Sequence, residues 1–584
     1  MTSSSVDPYR LPSDVVPVRY AVRLVPNLDD ESFTGTVRIT ATALNDVAEI
    51  VLNSDGLTIT TASVNGATTD VTIDDETERL ILARSVPAGD VVIDLSFSGV
   101  FNDQLVGFYI SRFDDADGNP QKLATTQFEA THARKAFPCW DEPAWKAVFD
   151  IEIVAPAGTN AIANTAEIGR ISLDDGAQLI SFAPTIKMST YLVAFVVGPL
   201  EMTAPVDVDG VALRIVSVPG KSALTSFALE CGEFALRYFT DYFGIAYPGD
   251  KCDLVAIPDF AFGAMENLGC ITFREVLLLI DETSATQPEL QRAADVINHE
   301  LAHMWFGDLV TMKWWNGLWL NEAFATFMEM RCTDAFRPEW HRWVDFSLSR
   351  TAAFKTDALS TTRPIEFDVV SPEDAEGMFD ILTYEKGAAV VRMLEQHLGE
   401  DRFRAGIRRY IREHAYANAE TTDLWDAIEA ETGEPVRRIM DSWIFQGGFP
   451  WFPSPSTARP SRSVRPATPW SVRPNRRRSC GQFLFAFATS SLVANRNSSG
   501  SARHRIGHRR TRSHPRVACR QCRGGQLPPS EIRPGPARSP VAHCPRRAPA
   551  RRAIRPHRRC LGRRSLQRHD GAVYGAHRAG HRRN

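Results

Sequence analysis

The charge of this chain breaks at one point, and the break bounds what can fold. The first 453 residues hold all nine lysines, 26 arginines and 68 acidic residues, a formal charge of −33. The last 131 hold 31 arginines, no lysine and two acidic residues, Glu531 and Asp570, a formal charge of +29. The overall charge of −4 conceals this division. Segments so different are not expected to share one core. From residue 454 the sequence is rich in Arg, Pro, Ser and His, with a sustained apolar run only over 483–487. Such a segment cannot offset the entropy of ordering and is expected to be disordered. It reads either as a basic extension or as out-of-frame translation, and the simultaneous loss of lysine and acidic residues favours the second. Nucleic acid is therefore not an expected partner. Cys519-x-x-Cys522 and His543-Cys544 have loose spacing for a zinc ribbon and are read as chance.

The acidic portion divides again by pattern. Residues 18–24, 33–44, 91–97 and 148–154 alternate apolar and polar and are rich in β-branched types, while Asn53-Ser-Asp-Gly56 and residues 114–119 supply turns. A large, mostly antiparallel β domain is expected over 1–204. Strands are predicted at 254–257 and 271–279, after which helical periodicity dominates to about Gly447, giving a second domain over 205–453 and the tail over 454–584. The fold class is multidomain α+β. Cys139, Cys231, Cys252, Cys270 and Cys332 show no secreted-framework spacing. Residues 1–16 carry no apolar signal core, and no apolar run reaches 18 residues. A cytoplasmic protein with no membrane span is expected; oligomeric state is left open.

Chemistry concentrates at His299-Glu300-Leu301-Ala302-His303. Thr286-Gln-Pro-Glu289 has the form of a capping box with proline in the first turn, so a helix is predicted to start there. Leu290, Ala294, Ile297, Leu301 and Trp305 form its apolar stripe, and both histidines fall on the opposite side. A spacing of four stacks the two imidazoles as ligands of one ion, with Glu300 able to reach a water beside it. A third ligand is required, and Glu322, on a second helix from about Leu318, is the candidate. Leu320, Phe324 and Phe327 form that helix's apolar face. Glu329, two turns beyond Glu322, is either an acceptor for a ligand imidazole or a surface glutamate.

These residues, His299-Glu-Leu-Ala-His303-Met-Trp-Phe-Gly followed by Trp319-Leu-Asn-Glu322, resemble the aminopeptidase N family of gluzincin zinc metallopeptidases. Thr126-Gln-Phe-Glu129, residues 134–143, Gly263-Ala-Met-Glu-Asn267 and Tyr384-Glu-Lys-Gly387 match further blocks of that family in order. The resemblance covers roughly residues 10–452. It implies a saddle-like β domain followed by a thermolysin-like catalytic domain, one Zn2+ per chain on His299, His303 and Glu322, and removal of N-terminal residues from peptides with a free N-terminus. It implies Glu300 as general base and Tyr384 as hydroxyl donor to the oxyanion. Glu129 and Glu266 are implied as anchors of the substrate amine, with Gly263, Ala264, Met265 and Asn267 completing the substrate site. An epoxide hydrolase that also trims peptides and an inactive truncated remnant remain alternatives, because family members normally continue past Trp451 into further domains and residues from 454 onward resemble neither.

Overall fold

A computed structural model describes residues 9–450. The expectations for the tail, including its cysteines, lie outside the described residues.

The alternating N-terminal segments form an eight-stranded sheet. Its order is Glu167–Ser172, Gln178–Phe182, Val148–Ala155, Val15–Asn27, Ser32–Ala43, Gly89–Val100, Thr58–Val64 and Ala67–Thr68. Only Val15–Asn27 with Val148–Ala155 is a parallel pair; the other neighbours are antiparallel. Alternation explains the two faces: Tyr20, Val22, Leu24, Val37, Ile39, Ile93 and Ile151 are buried. Between them, Arg19, Arg23 and Arg38 pair across strands with Asp150, Glu152 and Asp94 on the open face.

A second sheet runs Asn160–Ala163, Phe195–Gly198, Pro120–Gln127, Gly107–Asp114. The strand Pro120–Gln127 ends just before Glu129 and delivers it toward the catalytic half. The block 134–143 follows as a buried clasp. Arg134 donates to Asp141 Oδ2 (2.9 Å) and Glu78 Oε2 (2.8 Å), and Thr190 donates to Asp141 Oδ1 (2.9 Å). Replacing Arg134 by Ala would leave Asp141 buried without its cation. The expected cost is about 3–5 kcal/mol, read as a fall in the denaturant midpoint of the full chain. An unchanged midpoint would show that the clasp does not contribute to stability.

The change of sheet comes between Phe195–Gly198 and Glu201–Met202, a few residues ahead of the expected division at 204. The next sheet has the order Glu201–Met202, Val211–Ser217, Lys251–Ile257, Cys270–Arg274, Ala264–Met265, with Val206–Val208 also on Val211–Ser217. The strand expected over 271–279 is shorter: it ends at Arg274 and gives way to the single 3-10 turn Glu275–Leu277. Ala264–Met265 is the edge, folded back antiparallel on Phe273 and Thr272. This hairpin is docked to the N-terminal half at Gly269 (φ +72°), where a Cβ would lie 2.1 Å from Asn164 O. Asn164 Nδ2 donates to Leu268 O (2.9 Å) there.

Helices α1 (Ser226–Phe243), α2 (Gln287–His303) and α3 (Trp319–Phe336) pack beside this sheet. The start of α2 is as expected: Glu289 accepts from the Thr286 N–H (2.7 Å) and hydroxyl (2.8 Å). The stripe residues Ala294, Ile297, Leu301 and Trp305 are buried, as are Leu320, Phe324 and Phe327 on α3. Asn298 of α2 donates to Thr333 of α3 (2.9 Å), fixing their relative register. The five cysteines of the described residues are free and buried. None of the described helices is long and apolar enough to cross a membrane.

Candidate metal centre and cleft

Helices α2 and α3 bring three donors to one point. His299 Nε2 lies 3.2 Å from Glu322 Oε2, and His303 Nε2 lies 3.4 Å from the same oxygen. One ligand atom from each of the three residues falls within 4.8 Å of the others, so the group could hold a metal ion. A tetrahedral ion with bonds of about 2.1 Å sets its donors about 3.4 Å apart. The far nitrogens are engaged: His299 Nδ1 faces Glu329 Oε2 at 2.7 Å, and His303 Nδ1 faces Phe306 O at 2.9 Å. Acceptors at both Nδ1 positions place the proton there and turn both Nε2 lone pairs toward the Glu322 carboxylate. Lone pairs facing an anion call for a cation between them, so the residues present fit a Zn2+-type ion. Glu329 is thus the acceptor for the His299 imidazole and not a surface glutamate.

The electrostatics call for positive charge at the same point. Burial by itself would lower His303, but the Glu266 and Glu322 charges push it up to about 9. Burial opposes ionisation of Glu322, yet charge and hydrogen bonds from His303 and His299 hold it at about 2. Burial pushes Glu300 up to about 8, against the pull of His299 and His303. Glu129 is raised well above the usual carboxylate range by burial and by the Glu266 charge; Glu266 is raised by burial, with His303 opposing. The site has crowded carboxylates out of water without enough positive charge to match them.

All of these line one cavity of about 220 Å³, along with Gly263, Ala264, Met265 and Tyr384. Glu129 enters from the N-terminal half, and Gly263 to Glu266 enter on the edge hairpin. Asn267, expected among the substrate contacts, does not line the cavity. It is buried under the hairpin, where its Nδ2 donates to the Thr272 hydroxyl (3.1 Å). Tyr384 sits on the π-turn Leu382–Lys386, its ring nearly parallel to His299 with centroids 6.0 Å apart. Burial and the charges of Glu322 and Glu129 raise its hydroxyl well above the usual phenol range, so it stays a proton donor. The turn is anchored by Lys386, whose Nζ lies 2.9 Å from Asp357 Oδ2 with both side chains buried.

The cavity also includes Gln127, Phe262, Arg292, Val296, Thr326, Phe379 and Glu385, which sequence reasoning did not single out. Helical spacing carried a signal for three of them. Arg292 and Val296 precede His299 by seven and three residues, and Thr326 follows Glu322 by four, donating to Glu322 O (2.8 Å). Gln127, whose Nε2 reaches Met265 Sδ (3.4 Å), lay unremarked inside the Thr126-Gln-Phe-Glu129 block.

A two-histidine, one-glutamate donor set with an adjoining glutamate on the same helix, beside a β-rich domain, is the arrangement of the gluzincin class of metallopeptidases. Residues 16–192 match the model of the peptidase M1 N-terminal domain and residues 227–443 that of the peptidase family M1 domain. The chain belongs to this family, the aminopeptidase N family of zinc metallopeptidases. It is 43% identical to Aminopeptidase M1 of Arabidopsis thaliana over 452 residues, 76% of this chain and 51% of that protein. It is 40% identical to the puromycin-sensitive aminopeptidase of Caenorhabditis elegans over 458 residues, 77% and 48% of the two chains. The chain spans about half the length of the curated relatives it matches.

Proposed function

We propose that this chain binds one Zn2+ through His299, His303 and Glu322 and removes N-terminal residues from peptides. One observation carries the reading: Glu129 Oε1 and Glu266 Oε1 are buried without a hydrogen-bond partner in the cavity that holds the three-donor set. Buried carboxylate oxygens left without a partner, their ionisation opposed by burial, are what a charged α-amine can match. Held there, the amine limits reach, so that the first peptide bond is the one presented for cleavage.

When bound, the ion supplies Lewis acidity that acidifies a water and polarises the scissile carbonyl. Glu300 takes the proton of the attacking water and delivers it to the leaving amine. The Ala264–Met265 edge receives the substrate main chain as an added strand, with Gly263 leaving the approach open. Asn267 supports the hairpin from below. The Tyr384 hydroxyl donates to the oxygen on which charge develops. Tyr384→Phe is expected to lower kcat by about 10²–10³ with zinc content unchanged. A kcat within twofold of the parent would remove Tyr384 from this role.

The reading is tested with leucyl-7-amido-4-methylcoumarin and its N-acetyl derivative on the zinc-loaded full chain. Hydrolysis of the free-amine substrate with the acetylated one inert is the expected result; stoichiometric zinc without hydrolysis, or equal rates on both, would overturn it. We assign residues 1–204 to the β domain and 205–453 to the catalytic domain, supported by the change of sheet near Gly198. The free, buried cysteines support a reducing compartment, and we place the protein in the cytoplasm.

A further inference from the structure

We infer that the cleft holds a second cation site, built from Glu129, Glu266 and Glu322, which takes a hard divalent ion in competition with the substrate amine. The inference rests on the reading above, because it uses the same anionic pocket. One carboxylate oxygen from each of the three residues lies within 4.8 Å of the others, and all three side chains are buried. Oxygens held by one ion at about 2.4 Å are separated by at most about 4.8 Å, so the spacing suits a single shared ion. A second observation is the pair of carboxylate oxygens without a hydrogen bond, with His303 Nδ1 3.8 Å from Glu266 Oε1. Glu129 and Glu266 are 5% and 2% exposed, and Oε1 of each has no hydrogen-bond partner.

Charge decides between occupants. Besides the three carboxylates, the cavity is lined by Glu300, Glu329 and Glu385 against a single guanidinium, Arg292. Burial and the neighbouring charges disfavour bare carboxylates at Glu129 and Glu266, and a dication offsets more of that cost than the single charge of a substrate ammonium. The donors are carboxylate oxygens, which select Mn2+- or Ca2+-type ions. Glu322 would bridge the two ions, an arrangement that two-metal hydrolases tolerate at separations of about 3.5–4 Å. The second ion would occupy the position of the α-amine, so it acts as a competitive inhibitor.

The test uses the full chain loaded with one zinc, titrated with Mn2+ and followed by loss of the free Mn2+ electron paramagnetic resonance signal. Zinc is quantified in parallel. One Mn2+ per chain is expected to bind with zinc retained. It should be displaced by leucinol, which offers a free amine but no peptide bond, and not by N-acetyl leucinol. Glu129→Gln and Glu266→Gln are each expected to weaken Mn2+ by more than about tenfold while keeping zinc. Zinc retention also reports that each variant is folded. No Mn2+ uptake, uptake matched by zinc loss, or uptake indifferent to leucinol and to both substitutions would overturn the inference. Leucinol binding is measured separately by calorimetry. Glu129-dependent leucinol binding without Mn2+ uptake defeats this inference alone. Absence of leucinol binding defeats the amine-pocket reading beneath it.

Discussion

Glu300→Gln is expected to lower kcat by about 10²–10⁴ while leaving one zinc per chain. The amide keeps the size of the carboxylate but cannot take up a proton at neutral pH. Glu300 is buried beside both histidines yet is not one of the three residues of the His299–His303–Glu322 donor set, so its replacement separates proton transfer from ion binding. Metal content by mass spectrometry and kcat on a leucyl substrate are the paired readouts. A variant retaining more than about a tenth of the parent kcat would assign the proton to another group.

Glu322→Ala is expected to act at the other end of the mechanism, on the ion itself. Its Oε2 is the meeting point of both Nε2 atoms, at 3.2 and 3.4 Å. Without it, two imidazoles remain, too few for a stable catalytic site. Zinc affinity should fall by more than about a hundredfold, with activity lost in parallel. Glu329→Gln, which touches only the far nitrogen of His299, should cost about 10–100-fold in affinity. Competition with a chromogenic chelator orders the three proteins. Equal zinc affinity in Glu322→Ala and the parent would place the third donor elsewhere.

The donor set was legible because a helix converts sequence spacing into geometry. A separation of four brings His303 beside His299, their rings edge to face with centroids 4.7 Å apart, and seven residues return Glu329 to the face of Glu322. The acceptor for His303 was not legible. It is the Phe306 carbonyl in the turn after α2, and a backbone group leaves no mark in side-chain pattern. Tyr384, Glu129 and Glu266 entered only through resemblance. Glu129 follows a strand in one domain and Glu266 sits on a hairpin 137 positions later in the other, so no local period connects them. The strand expected to reach residue 279 stopped at Arg274 because its downstream apolar residues pack as a turn, a distinction that a short apolar run cannot carry. Asn267 lies in a matching block, and its Nδ2 serves the Thr272 hydroxyl under the hairpin, a contact that side-chain pattern does not signal.

The docking of Gly269 against Asn164 gives the cleft an asymmetry. The three residues of the candidate metal set all come from α2 and α3, which pack against each other within one domain. Glu129 and Glu266 are like the jaws of a caliper, one mounted on each domain, and the Asn164–Gly269 contact is one of several that hold the jaws, with Lys146 donating to Asp308 O and Lys251 to Ala163 O. Any slip between the domains would leave the His299–His303–Glu322 set intact and change the gap between Glu129 and Glu266.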